Sequence, residues 1–170
     1  DPYVITVGAM RDMGTPSRAD DQIATYSSKG PTAIDHIVKP DLVAPGNKVV
    51  SVLPSNLATV TMLQKYPDNA VKLSYYMNTT YTGYSPDYFM LSGTSMAAPV
   101  VSGAAAAVLQ KYPNASPDTV KARLMKTATK NFPAVSTYTD PETHQTFTNQ
   151  YDLFTVGAGY LNEWAALNNS

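Results

Sequence analysis

The sequence predicts an α/β layered fold, on three observations. Val4-Ile5-Thr6-Val7 is a continuous β-branched run, of the kind that suits a strand covered on both faces of a parallel sheet. Two more short apolar stretches, Leu42-Val43-Ala44 and Lys48-Val49-Val50-Ser51-Val52-Leu53, stop at breakers, Pro45-Gly46 and Pro54. A small-residue apolar segment, Gly103 to Leu109, follows Ser95-Met96-Ala97-Ala98-Pro99 and has no polar face before Gln110 and Lys111. Strands alternating with helices in this way build layers.

Each element has its own signal. The first strand is expected over Val4–Val7, followed by Gly8-Ala9. Met10 to Lys29 is polar and turn-rich, and Ser27-Ser28-Lys29-Gly30-Pro31 marks a loop. Beyond the third strand, Asn56 to Gln64 reads as a helix, with Asn56 as cap and Leu57, Val60 and Leu63 or Gln64 at helical spacing. Lys65 to Phe89 is rich in Tyr, Asn and Thr without clear period and reads as an irregular surface excursion. The segment led by Thr94 and Ser95, either of which can cap it, is expected to be a helix buried nearly all round. Pro99 is expected within its first turn, and Pro113 ends it. A second helix has Ser116 as cap, Pro117 at its first position and Asp118 in its first turn. Val120, Leu124, Thr127 and Ala128 form its inner side, and Lys121, Arg123, Lys126 and Lys130 read as a solvated face. Gly157-Ala158-Gly159 then turns into a short closing helix, Asn162 to Leu167.

The composition narrows the class. A chain of 170 residues and 18.3 kDa suits one ordinary domain. A net charge of −1 supplies no field for nucleic acid or an anionic membrane, and neither is expected as a partner. Only 15% of residues are charged, against roughly 25% on average. Polarity comes instead from 19 Thr, 13 Ser, 10 Asn and 12 Tyr. No run approaches the ~18 apolar residues of a membrane span. The absence of Cys and the presence of only two His exclude thiolate and imidazole-rich metal sites. The buried-type strand near Asp1, without initiator Met, basic n-region or signal-like segment, leads to the expectation of a piece of a longer polypeptide.

Gly93-Thr94-Ser95-Met96-Ala97-Ala98-Pro99 places a serine at the start of a helix. Free amides and the positive end of the helix dipole favour negative charge there. A serine attacking a carbonyl generates an oxyanion beside its own N–H, so one donor comes with the nucleophile. The string alone leaves two readings open, a nucleophile and an ordinary helix cap.

Leu91-Ser92-Gly93-Thr94-Ser95-Met96-Ala97-Ala98-Pro99 resembles the nucleophile motif of the subtilisin-like serine proteases, the subtilases. Val4-Ile5-Thr6-Val7-Gly8-Ala9, Tyr26-Ser27-Ser28-Lys29-Gly30-Pro31 and Lys39-Pro40-Asp41-Leu42-Val43-Ala44-Pro45-Gly46 are similar to further family blocks, in the family's order. Ser116 to Ala128 and Gly157 to Leu167 are similar to its last two helices. The resemblance implies residues 1–170 as the C-terminal part of a catalytic domain, with 55–89 a family-variable insertion. It implies a doubly wound, mostly parallel sheet flanked by helices, incomplete on its N-terminal side. By the same resemblance Ser95 is the acyl-forming nucleophile. Its N–H, with help from Thr94, serves the oxyanion, and Leu91, Ser92 and Gly93 line the substrate cleft.

The family's Asp motif and its His-Gly-Thr-His base motif are absent. Val100 also departs from the His that many members carry after the motif's proline. His36 and His144 read as solvated loop residues. Without a base a serine hydroxyl is a weak nucleophile, so the chain alone is expected to be inert and the endopeptidase activity to belong to the longer parent. The implied partners are a protein or peptide substrate and the upstream half of the domain.

Two alternatives stay beside this one. Ser95 with Asp118 or Asp140 and then His144 follows the chain order of an α/β-hydrolase esterase. A non-catalytic module is the other, because half a sheet leaves an unpaired edge that favours self-association or domain swapping. The resemblance further implies secretion, and structural calcium for the longer parent. No cofactor is expected in this chain, since Asp20-Asp21 and Asp140 with Glu142 lack the alternating ligand pattern of a calcium loop. Asn78-Thr79-Thr80, Asn114-Ala115-Ser116 and Asn168-Asn169-Ser170 match the glycosylation sequon, as a Thr-rich chain does by chance. Met96 is read as packing beneath the helix start, where oxidation would place a polar sulfoxide beside Ser95.

Overall fold

In the computed structural model, which describes residues 3–53 and 62–169, the first strand begins where it was expected to end. β1 is Val7–Arg11, and Val4 is half exposed. Thr6 shows why. Its carbonyl accepts the Asp41 N–H at 2.8 Å, but its own N–H is taken by the Asp41 side chain at 2.7 Å, so paired register starts at Val7↔Leu42. The buried centre is formed by Gly8, Ala9 and Met10, and a Cβ on Gly8 would stand 3.0 Å from both Ser27 Oγ and Val43 Cγ1.

β1 runs parallel to β3 (Leu42–Pro45) from Val7↔Leu42 to Met10↔Pro45. On its other side it pairs antiparallel with β2 (Gln22–Ile23), which lies inside the stretch expected to be only turns. Side chains alternate across this β2-β1-β3 sheet. Ala9, Leu42 and Ala44 face one cluster together with Ala97, Val101, Ala104, Val108, Val120, Leu124 and Ala166. Met10 and Val43 face the other, with Ile23, Val156 and Tyr160. The sheet is thus covered on both faces, as the α/β layered, subtilisin-like class requires.

The helix α1 spans Thr94–Lys111 and buries one stripe, Ala97, Val101, Ala104 and Val108. The expectation of burial nearly all round is therefore corrected: Ala98, Ser102, Gly103 and Ala106 are exposed and Leu109 is 42% exposed. The buried stripe is the one that meets β1, β3 and the later helices, with Val100 and Ala105 packed partly against it. Its N-cap is Gly93, not Thr94 or Ser95, because both of those already have helical geometry. Pro99 falls in the second turn rather than the first, so Ser95 lacks the helical N–H that position 99 would otherwise donate to its carbonyl.

The helix α2, Pro117–Thr127, starts as expected, with Ser116 Oγ accepting the Thr119 N–H at 3.2 Å. Two of its cations are not simply solvated. Lys121 reaches Asp41, and Arg123 bonds the carbonyls of Ala166 and Asn169 and covers the Tyr112 ring at 4.3 Å. A hairpin with no counterpart in the sequence reading follows, β7 (Val135–Thr139) with β8 (Thr146–Gln150). The short helices α3 (Leu153–Val156) and α4 (Glu163–Asn168) close the chain, and Asn162 caps α4 through the Ala165 N–H.

These elements form one compact unit, Asp1–Asn47 with Gly93–Ser170, and Lys48–Ser92 form a second. The second unit is an antiparallel sheet ordered β4-β6-β5, from β4 (Val49–Val52), β5 (Ala70–Lys72) and β6 (Tyr84–Leu91). The irregular excursion expected over Lys65–Phe89 is thereby corrected. Pro86 disguised the strand: it falls in the register shift between Ala70↔Phe89 and Lys72↔Tyr84, where no ladder donor is needed. Most of the helix expected from Asn56 to Gln64 lies outside the described residues, and positions 62–65 are helical.

Candidate active site

The turn that carries Ser95 begins at the carboxyl end of β3. In open parallel sheets, ligands bind beyond that end of the strands. There the Gly93 N–H donates to the Gly46 carbonyl at 2.8 Å, and the Tyr26 hydroxyl donates to the same oxygen at 2.8 Å. A Cβ on Gly46 would lie 2.7 Å from Ala9 Cβ and 2.9 Å from the Gly93 oxygen, so only glycine lets the strand end and the helix start approach this closely. Gly93 itself has φ 155°, a conformation left to glycine.

From Gly93 the chain enters α1 at once. The Gly93 carbonyl accepts the N–H of Met96 at 3.0 Å and of Ala97 at 3.3 Å. Among the described residues, the N–H groups of Thr94 and Ser95 have no acceptor, as expected for the first turn of a helix. The Ser95 side chain is exposed and its hydroxyl has no partner among them. Met96 is half-buried and Ala97 fully buried, which anchors the turn behind the serine. An exposed serine thus shares the positive end of an 18-residue helix with two amides that have no acceptor among the described residues. That arrangement can deliver an oxygen nucleophile and stabilise an anion formed beside it.

A cavity of about 250 Å³ opens beside Thr94, lined also by Thr6, Val7, Ser28, Gly30 and Pro40. A larger one, about 490 Å³, lies around Phe132, Tyr151 and Val156 and shares no lining residue with the serine motif. Two lining residues of the first cavity, Thr6 and Lys39, are tied together by Asp41. Its carboxylate is paired with Lys39 at 2.7 Å and Lys121 at 3.2 Å and accepts the Thr6 N–H. Burial pushes the Asp41 pKa up, but Lys39, the Thr6 N–H and Lys121 together hold it below the ordinary carboxylate value. Asp21, also buried, is shifted the other way by burial, against a hydrogen bond from Tyr160.

The remaining sequence candidates are dispersed. Gly93 joins Thr94 and Ser95 in the first unit, whereas Leu91 and Ser92 belong to the second. Leu91 pairs with Val49 there, and Ser92 Oγ accepts the Lys48 N–H at 2.9 Å. His36 and His144 are exposed turn residues with φ 53° and 57°. Asp140 spends its carboxylate on the N–H groups of Glu142 and Thr143, which hold its pKa low. Asp118 is exposed in the first turn of α2. No side-chain hydrogen bond joins Ser95, Asp118, Asp140 and His144 among the described residues; His144 meets Asp140 only through backbone, its N–H donating to the Asp140 carbonyl at 2.9 Å. Nor do the described residues contain three His, Asp or Glu grouped to hold a metal ion. Tyr26 and Gly46 lie in the family-like blocks Tyr26–Pro31 and Lys39–Gly46, but the sequence assigns neither of them a part in holding the Ser95 turn.

A serine-bearing turn at the end of a parallel strand pair, in a sheet covered on both faces, defines a class, and residues 2–159 match the model of the subtilase family, peptidase S8. The chain belongs to the subtilase family. It is 40% identical over 126 residues to serine protease AprX of Bacillus subtilis (strain 168), covering 74% of this chain and 24% of the relative. With the subtilisin-like protease SBT1.2 of Arabidopsis thaliana it shares 31% identity over 151 residues, covering 86% of this chain and 16% of the relative. The chain therefore spans a quarter or less of the length of these relatives. Fervidolysin from Fervidobacterium pennivorans, a keratinolytic enzyme related to subtilisin, has the same fold at TM-score 0.55 and 24% identity, over 99% of this chain and 19% of its own. MycP3 protease, from a type VII (ESX-3) secretion system, matches at TM-score 0.54 and 26% identity, over 100% of this chain and 33% of its own.

Proposed function

We propose that these residues supply the nucleophile of a secreted serine endopeptidase, with Ser95 forming the acyl-enzyme. The observation that carries this reading is an exposed Ser95 at a helix start where the N–H groups of Thr94 and Ser95 have no acceptor among the described residues. In the first step Ser95 Oγ bonds to the carbonyl carbon of the scissile peptide while a base takes its proton. The carbonyl oxygen becomes an oxyanion and accepts the Ser95 N–H. The base returns the proton to the leaving nitrogen, the C–N bond breaks, and water repeats the sequence to release the acid.

Family membership supports this use of the serine. The exposed positions and engaged backbone of His36 and His144 support a base from outside residues 1–170, so that the chain alone is inert. The solvent-facing side of α1, Ala98, Gly103, Ala106 and Leu109, is the surface we assign to the segment that brings the base. Its small side chains allow close approach of another helix or strand. In subtilisin, loss of the serine alone costs about 10⁶ in kcat. A loss of that order is expected when Ser95→Ala is introduced into the full protein and casein hydrolysis is followed. Activity retained within tenfold would refute the assignment.

A further inference from the structure

The β7–β8 hairpin forms a two-stranded sheet of its own, and the direction of its backbone groups can be read from its ends. The Tyr151 N–H donates to the Ala134 carbonyl and the Asp140 N–H to the Gln145 carbonyl, both at 2.9 Å. Antiparallel pairs alternate between bonded and non-bonded. Hence Ser136↔Asn149 and Tyr138↔Phe147 bond inward, while Val135, Thr137 and Thr139 point their N–H and C=O groups away from β8. None of these outward groups has a partner among the described residues. On the β8 edge, by contrast, the outward Gln150 carbonyl is occupied by the Thr155 hydroxyl at 2.9 Å.

Exposed edges are ordinarily protected by charge, proline or a bulge. From Val135 to Thr139 there is none of these, and Val135 and Tyr138 are exposed. The neighbouring edges are shorter: β5 has three residues including Lys72, and β4 has four, flanked by Lys48 as β7 is flanked by Asp140.

We propose that β7 is a pairing edge for β7 of a second copy of this chain. With the two strands antiparallel and Thr137 opposite Thr137 of the second copy, Val135 meets Thr139 of the second copy. All outward groups then fall into bonded register, closing about six N–H···O=C bonds. The contact is self-complementary, as a two-fold axis demands. The facing side chains are β-branched and uncharged, so nothing in the register repels. Two marginal hairpins become one four-stranded sheet.

Facing residues of a bonded antiparallel pair lie about 5.5 Å apart at Cα, within the span of a disulfide. The test uses the full protein that carries these residues. Thr137→Cys should cross-link into a covalent dimer under mild oxidation, and Thr139→Cys, which faces Val135 of the second copy, should not. In sedimentation the wild type should dimerise with rising concentration. Thr137→Pro, whose lost N–H serves no bond within the chain, should remain monomeric with an unchanged melting curve. Thr137→Lys is the second variant, placing two ammonium groups opposite each other, and should weaken the dimer at least about tenfold. A wild type that stays monomeric, a dimer unaffected by Thr137→Lys, or equal cross-linking of the two cysteine variants overturns the proposal. So does a monomer that pairs this edge with a different extended peptide.

Discussion

The Gly93 N–H donates to the Gly46 carbonyl at 2.8 Å, tying the turn that presents Ser95 to the end of a parallel strand. The bond exists because Gly46 carries no side chain and Gly93 adopts a φ of 155°. A methyl on Gly46 would meet Ala9 Cβ at 2.7 Å and the Gly93 oxygen at 2.9 Å, and neither can yield easily inside a packed interior. The position of Ser95 is therefore set by a backbone contact between its near neighbour Gly93 and a residue far away in sequence, Gly46.

Gly46→Ala should displace this turn. Overpacking of a filled site costs about 1–3 kcal/mol. The expected outcome is a lowered Tm together with a fall in kcat of the full protein. Ala9→Gly, which removes one of the two clashing groups, should recover part of the loss when combined with it. A double variant no better than Gly46→Ala alone would place the strain elsewhere.

Asp41 links β3, the segment before β1 and α2 through Thr6, Lys39 and Lys121. Its folded pKa lies below the ordinary 3.8. The stability it contributes is therefore fully present above about pH 4 and is lost as pH falls through the folded value. Asp41→Asn should cost about 3 kcal/mol near neutrality, by leaving two lysines without their carboxylate. Denaturant titrations at several pH values should show the gap between wild type and variant closing below the ordinary carboxylate value. A gap that widens on acidification would contradict the assignment.

Legibility in the sequence followed how local the cause was. Ser116-Pro117 encodes the start of α2 within four residues, and Pro45-Gly46 marks the end of β3, so both were readable. The α1 stripe was not. Alanines on its buried and exposed sides look alike, so periodicity could not tell Ala104 from Ala106. The start of β1 depends on the Asp41 side chain intercepting Thr6, and β6 hides its strand character behind Pro86; both causes are tertiary. At the site, Ser95 was visible in its motif, whereas Tyr26 and Gly46 stand in family-like blocks whose contact with the Ser95 turn is tertiary and leaves no local pattern.

Leu124 is fully buried where α2 meets the α1 side of the sheet. Leu124→Ala should destabilise by about 2–5 kcal/mol, read from urea midpoints. It touches no group at Ser95, so kcat at a temperature well below Tm should stay within twofold. Ser116→Ala removes the α2 cap and should cost about 1 kcal/mol. If Ser116→Ala proved as damaging as Leu124→Ala, the cap would have a role beyond satisfying the Thr119 N–H.

The central claim is that Ser95 is the nucleophile, and covalent labelling reads it most directly. The full protein is treated with a biotinylated fluorophosphonate, digested and mapped by mass spectrometry. The adduct is expected on the peptide containing Ser95 and nowhere else in residues 1–170, to be lost in Ser95→Ala, and to be absent when the 170-residue chain is treated alone. Labelling at another residue, or undiminished labelling of Ser95→Ala, would contradict it.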